Sequence, residues 1–277
     1  MYLRDYNYLN NQRCLFAFNI WNIDSAMAVM DAAASEKQNV ILQTSTNIYE
    51  RLKPVPIREF ITTYSNKLGI KTWLHLDHCK NMELLFDAVD SGWDSVMFDG
   101  SALLLNENVK LTNKAAEYAH SKNVLLEAEI GQFHVTEEDI CVLNEQIARR
   151  EDINYFSKNT DVDMIAVAFG NAHGQYKAPP ILHYDLVEYT TNKINVPFVV
   201  HGGTGMSQDS ITRLMSINGV KKINVSTEVK LAYRQGIINA ENGGLLQENK
   251  FQAINVEDKI HDAIVSLVCS KLKMCRW

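Results

Sequence analysis

Long apolar runs are missing from this 277-residue chain. None approaches the roughly 20 residues needed to cross a bilayer, so a membrane span is not expected. Basic blocks are missing too. Nowhere do five or more Lys or Arg run together, and the net charge is −6, which argues against a nucleic-acid surface. An acidic chain can still hold phosphates, but locally, with backbone N–H groups and a few cations. Cysteine is scarce: Cys14, Cys79, Cys141, Cys269 and Cys275 are an odd number with no C-x-x-C pair. With no signal-peptide pattern at the start, this predicts free thiols in a reducing, cytoplasmic compartment. No low-complexity stretch or Pro/Ser-rich linker divides the chain, so residues 1–277 read as one domain. No G-x-G-x-x-G fingerprint follows the first apolar run, where the sequence is FNIWN.

What is present is alternation. Short apolar runs fall at residues 15–20, 40–44, 72–76, 95–98, 124–130, 164–169, 197–200 and 222–225. Between them lie stretches with helical periodicity, among them 24–36, 81–91, 108–121, 184–193 and 209–216. Asp24 and Asn81 are placed to cap helices at their starts, and Gly69, Gly92 and Gly219 to follow them. Apolar strands separated by helices imply a parallel sheet covered on both faces. Eight such units predict an α/β fold, a single (β/α)8 TIM barrel, in preference to an open doubly wound sheet. Residues 256–273 read as an extra amphipathic C-terminal helix that packs on the barrel or on a second subunit. One connection is long, polar and aperiodic, residues 132–151 after the fifth strand. On a barrel it lies over the active-site face, so it is a candidate lid.

The strand ends carry the chemistry. The third delivers His75-Leu76-Asp77-His78, the fourth Asp99, the fifth Glu127 and Glu129, the sixth His173, and the seventh His201. Ionisable residues fill a core poorly, whereas neutral imidazoles suit zinc or a similar ion with an open position for substrate. Asp99 and Glu129 are placed to orient those imidazoles or to hold a second ion. Glu127 and Glu129 share one strand face, as functional groups or with one of them a core acid paired to Lys or Arg. His75 reads as scaffold, and His120, His183 and His261 as surface residues. Gly174, the run Gly202-Gly203-Thr204-Gly205, and Asn224-Val225-Ser226-Thr227 before a helix near Glu228 make a phosphate cradle of backbone N–H groups and hydroxyls. Residue chemistry alone leaves both a metal hydrolase and a lyase open.

At these residues the chain resembles the class II, zinc-dependent fructose- and tagatose-bisphosphate aldolases. The matching stretches are HLDHCKNMELLFDAVDSGWDSVMFDGS, NENV, LLEAEIG, GNAHGQY, VPFVVHGGTGM and KKINVSTEVKLAYRQGI, in order from about Phe16 to Ile237. The resemblance implies reversible cleavage of a ketose 1,6-bisphosphate to dihydroxyacetone phosphate and an aldehyde. It implies His78, His173 and His201 as zinc ligands and Asp77 as the acid/base. Gly174, Gly202, Gly203, Thr204 and Asn224 through Thr227 become the triose-phosphate site, with Ser45 near it and Lys230 a further cation. Glu137 or Glu138 becomes the lid carboxylate. A second divalent ion, or Na+ or K+, fits the same pattern, as does a homodimer or homotetramer. Departures are visible: His134-Val135 where the family's lid has Gly-Gly, Ala102-Leu103 after DGS, Asn171 for Thr or Ser, and STEVK in place of D-x-D-L-R. The altered lid motivates a further alternative, a non-catalytic sugar-phosphate binder on the same fold.

Overall fold

The computed structural model describes residues 14–131, 147–172 and 180–275. Its strands are β1 (Leu15–Asn19), β2 (Val40–Ser45), β3 (Thr72–Cys79), β4 (Ser95–Phe98), β5 (Leu125–Ile130), β6 (Met164–Val167), β7 (Phe198–Val200) and β8 (Val220–Val225). Each pairs in parallel with the next, and β8 returns to β1 to close the barrel. The helices are α1 (Ile23–Ser35), α2 (Thr46–Leu52), α3 (Pro54–Leu68), α4 (Met82–Asp90), α5 (Leu105–Ser121), α6 (Arg150–Asn159), α7 (Tyr184–Lys193), α8 (Gln208–Ser216), α9 (Thr227–Asn242) and α10 (Ala253–Leu272). The predicted (β/α)8 barrel with an extra C-terminal helix is the observed architecture.

Strand alternation builds two apolar regions. Residues such as Phe16, Phe18, Leu42, Leu76 and Val225 face outward and pack with the helices. Leu15, Ala17, Ile41, Leu125, Met164, Ala166 and Val199, with Trp73 against them, fill the lower barrel interior. Above this plug the buried residues become polar: Gln43, His75, Ser95, Glu127 and Lys222. The interior is therefore a packed floor beneath an ionic layer, with the mouth above.

Several local expectations need correction. Asn22, not Asp24, caps α1: its Oδ1 accepts the Ser25 N–H at 2.9 Å, and Ser25 Oγ accepts the Asn22 N–H at 3.1 Å. Asn lies at the point where the chain is still extended, and Asp24 falls in the first turn. Asn81 does cap α4, accepting from Glu83 and Leu84 N–H, and Gly69 ends α3 in the left-handed conformation. Gly219 lies three residues beyond α8 and leads into β8. The candidate lid ends earlier than its polar composition suggested, because Arg150 already opens α6; residues 132–146, with Glu137 and Glu138, are outside the described residues. The C-terminal helix begins at Ala253 and packs on α1 and α9, where Gly236 leaves room for the Ile260 backbone. His120 and His261 are not simple surface residues. His120 Nε2 lies 2.8 Å from Asp163 Oδ2, and His261 Nε2 lies 3.0 Å from Asp31 Oδ2.

Candidate active site

The residue that shapes the mouth is His78. In a regular strand the side chains of Asp77 and His78 would point to opposite faces. The β3–β4 register instead slips between Leu76 and Cys79, and His78 adopts φ +51°. A positive φ is uncommon for a non-glycine residue and marks a built feature. The bulge lets both side chains enter the mouth, and Cys79 returns to the regular pattern, with its thiol donating to the Asn81 carbonyl at 3.1 Å. Cys79 is therefore occupied away from the site, as expected.

Asp77 is clamped from both sides. Asn224 Nδ2 donates to its Oδ1 at 3.2 Å and Gln43 Nε2 to its Oδ2 at 3.3 Å. Gln43 is itself aimed by its donation to Asn19 Oδ1 at 2.7 Å. Burial would lift the Asp77 carboxyl, but His78, His201 and Lys222 outweigh burial and hold it below the ordinary carboxylate value.

The two imidazoles meet edge to face, with ring centroids 4.6 Å apart. His201 Nε2 lies 2.8 Å from Glu127 Oε1, so with Nε2 protonated it donates there and its Nδ1 faces Glu129 Oε2 at 3.5 Å. His78 Nδ1 is 3.3 Å from Asp99 Oδ2 and 3.5 Å from the same Glu129 oxygen. Asp99 is fixed by the Ser101 N–H and hydroxyl at 3.2 and 2.6 Å. Burial opposes ionisation of Asp99, yet the hydrogen bonds from His78 and Ser101 win and push its carboxyl down. Glu129 goes the other way: burial, only partly offset by His78, pushes it up to about 8. Burial pulls at His78 as well, but Asp77, Asp99 and Glu129 raise it to about 9. His201 is lowered, by burial first, against the pull of Glu127.

This donor set fits a divalent ion. Ligand atoms of Asp77, His78 and His201 lie within 4.8 Å of one another, as do those of His78, Asp99 and Glu129. Glu129 Oε2 is buried with no hydrogen-bond partner and faces two imidazole nitrogens. A cation held by these residues would satisfy that oxygen from the His201 Nδ1 side and would reverse the local charge balance. His173 and Gly174 lie outside the described residues.

The phosphate-cradle residues surround the same mouth. Ser45 is opposite Asp77 in the β2–β3 register. Gly202 has φ +66°, and a Cβ there would collide with the Ala172 carbonyl oxygen. A Cβ on Gly203 would meet Ile223 Cγ2 at 2.8 Å and the Asn224 carbonyl oxygen at 2.9 Å. Thr204 is buried beside them. Ser226 precedes α9, and Thr227 opens it. Two candidates sit differently from the rest: Val225 sends its side chain into the outer apolar core, leaving only its backbone for a ligand, and Lys230 is exposed on the first turn of α9. Asn171 earns a role that its unusual identity did not suggest. Its Oδ1 accepts the Phe169 N–H and its Nδ2 donates to the His201 carbonyl at 2.8 Å, which staples the sixth strand's loop to a candidate ligand.

Gln43, Asn19, Ser101 and Lys222 were not singled out from sequence. Lys222 stands two residues before Asn224 and Gln43 two before Ser45, which is opposite Asp77, and Asn19 is opposite Gln43 in the β1–β2 register, a signal readable only once the inward face is known.

The barrel with an acid, imidazoles and carboxylates at its C-terminal rim matches a known class. The model of the class II fructose-bisphosphate aldolase family matches residues 7–277, and the chain belongs to that family of carbon–carbon lyases. It is 32% identical over 223 residues to a sulfofructosephosphate aldolase of Alkalicoccus urumqiensis, covering 80% of this chain and 77% of the relative. It is 34% identical over 223 residues to a fructose-bisphosphate aldolase of Geobacillus stearothermophilus, covering 79% and 77%. Among solved structures, the YdjI aldolase of Escherichia coli K12 superposes with a TM-score of 0.84 at 26% identity, over 99% of this chain and 96% of the other.

Proposed function

We propose that this chain is a zinc-dependent aldolase that reversibly cleaves a ketose 1,6-bisphosphate, of fructose or tagatose type, to dihydroxyacetone phosphate and an aldehyde. The observation that carries the reading is the β3 bulge, which sets Asp77 and His78 side by side against His201. His78 and His201, with His173 as the third imidazole, hold the ion, and the chemistry it supplies is polarisation of the ketose carbonyl. Glu127 and Asp99 fix the rings from behind through their other nitrogens. Asp77, kept ionised and clamped by Asn224 and Gln43, takes the proton from the hydroxyl whose oxygen becomes the aldehyde carbonyl. In the synthetic direction it returns that proton. Glu137 or Glu138 exchanges the proton on the triose carbon.

The phosphate of the triose half is held by the Gly202–Gly203–Thr204 turn and the start of α9, where a close-approaching backbone and a helix N-terminus favour an anion. The two relatives' names share a fructose phosphate and differ in the second acidic group, which supports a reading in which the far end of the ketose sets specificity. Lys230 is a cation for that end, a point charge rather than a bidentate fork. A second divalent ion fits Asp99 and Glu129, and a monovalent cation fits the glycine turn. We also propose a homodimer or homotetramer in the cytoplasm; light scattering that finds a monomer at working concentration overturns the first of these.

The test is a coupled assay for dihydroxyacetone phosphate released from fructose 1,6-bisphosphate, tagatose 1,6-bisphosphate and sulfofructose phosphate, with and without added zinc. Release from one bisphosphate that depends on zinc is expected. Release from none of the three, with the metal bound, would leave the non-catalytic reading standing; phosphate release without an aldehyde would make the chain a hydrolase.

A further inference from the structure

Away from the metal cluster, one buried cation reaches the same mouth. Lys271 is the penultimate residue of α10, its side chain is 7% exposed, and its Nζ lies 2.6 Å from Glu228 Oε2. Glu228 is the second residue of α9, and its other oxygen accepts the Gly205 N–H at 3.1 Å. Gly205, at φ +75°, closes the glycine turn after β7. A continuous path therefore runs from the last turn of the C-terminal helix to the turn proposed to bind phosphate.

The pair is not needed to dock α10. That helix is already held by His261 on Asp31, by Gln38 donating to the Leu272 carbonyl at 2.7 Å, and by the close approach of Gly236 to Ile260. Burying a long lysine stem and its charge has a cost in rotamer freedom and desolvation, so its contribution must lie elsewhere. The carboxylate it meets supplies the reason. In the first turn of α9, Glu228 stands where a phosphate dianion would approach the helix N-terminus, and an uncompensated carboxylate there repels it.

We propose that Lys271 is a positioning residue for substrate: it neutralises Glu228 and turns that carboxylate onto Gly205, so the glycine turn is preset for the phosphate. This rests on the reading of that turn as the phosphate site. The C-terminal helix, far in sequence from the catalytic strands, is then part of the binding apparatus.

The experiment measures dihydroxyacetone phosphate affinity by calorimetry, bisphosphate KM and kcat, and zinc content, on the full-length metal-loaded enzyme. Lys271→Met is expected to raise both the dissociation constant and KM by about tenfold, with kcat within about threefold and zinc unchanged. Lys271→Arg should recover most of that loss. In a Glu228→Gln background, which keeps the acceptor for Gly205 and removes the charge, adding Lys271→Met should cost less than about threefold. If Lys271→Met alone does not fold, Lys271→Gln, which keeps a hydrogen-bond donor to Glu228 but no charge, is measured against the same thresholds, with the Lys271→Met/Glu228→Gln double variant, in which neither charge is left unpaired, as the folded control. Unchanged KM in Lys271→Met, a loss confined to kcat, or a full tenfold loss in the Glu228→Gln background overturns the proposal. Gly203→Ala separates the two readings. If it leaves dihydroxyacetone phosphate affinity intact, the phosphate site itself is misplaced; if it abolishes binding while Lys271→Met is silent, only the role of Lys271 fails.

Discussion

The Lys222 ammonium sits 2.8 Å from the Glu127 carboxylate inside the barrel, with neither side chain exposed to solvent. Glu127 spends its other oxygen on His201 Nε2. Lys222 thus holds ionised the carboxylate that orients a candidate metal ligand. Burial would lift Glu127, but Lys222, with His75 and His201, pushes it well down. Removing the cation leaves a buried charge with too few partners. Lys222→Met should therefore lower stability by about 3–5 kcal/mol, and the Lys222→Met/Glu127→Gln double variant by less. Urea denaturation measures both; a single-variant loss under about 1 kcal/mol means that the pair contributes little.

His75 gives the fold an acid sensitivity. Its ring lies 2.8 Å from Ser95 Oγ and is fully buried; burial first, and Lys222 next, lower it to about 3 from 6.5. The unfolded chain takes up this proton below pH 6.5, while the native state declines it until about pH 3. The unfolded state binds more protons throughout that window, so stability falls as pH falls, by at most about 1.4 kcal/mol per pH unit from this group. Denaturation midpoints of the wild type and His75→Gln between pH 6.5 and 4.5 should converge on acidification. Parallel curves would assign the acid loss to other groups.

Asp77→Ala should leave zinc bound and lower turnover by about 10²–10⁴-fold, the range for loss of a general acid/base. Asn224→Ala and Gln43→Ala remove the clamps but not the carboxylate, so smaller losses in kcat are expected. Steady-state rates with metal analysis on the same samples check this. An Asp77→Ala enzyme within tenfold of wild type removes the residue from its assigned role.

His201→Ala and His78→Ala should each lose zinc, and EDTA should abolish cleavage, with zinc restoring it. Glu127→Gln is expected to keep the ion but weaken it by about 10–100-fold, as for other groups that hold a ligand's far nitrogen. Full cleavage in EDTA would contradict the metal assignment outright.

The barrel was legible because its signal is local and repeated. Eight apolar runs, each followed by a turn and a helical period, leave few other topologies. Residues at the rim were legible because ionisable side chains at strand ends are out of place in a core. What escaped was orientation. Strand alternation turns His78 away from Asp77, and only the register slip against β4 brings it back. Lys221 and Lys222 read alike in VKKINV, yet one is partly exposed and the other is sealed inside the barrel with Glu127. Glu127 and Glu129 were known to share a face, but their division of labour depends on neighbours supplied by β7, β8 and β4. The cap at Asn22 rather than Asp24 depends on where the backbone leaves the extended region, which side-chain type alone does not set.

The bulge at His78 has one more consequence. The proposed proton carrier, Asp77, and the proposed ion holder, His78, are joined by a single peptide unit, so no loop movement can slide one past the other. Asp77 Oδ1 lies 4.0 Å from His78 Nε2, and the backbones that carry the two side chains are fixed relative to each other by one peptide unit and one unusual torsion. Glycine would reach that torsion without strain but could not hold an ion, so the position must keep its imidazole in a conformation that most side chains avoid. The proposed reacting centre is thus the part of the mouth whose backbone has the least freedom to adjust.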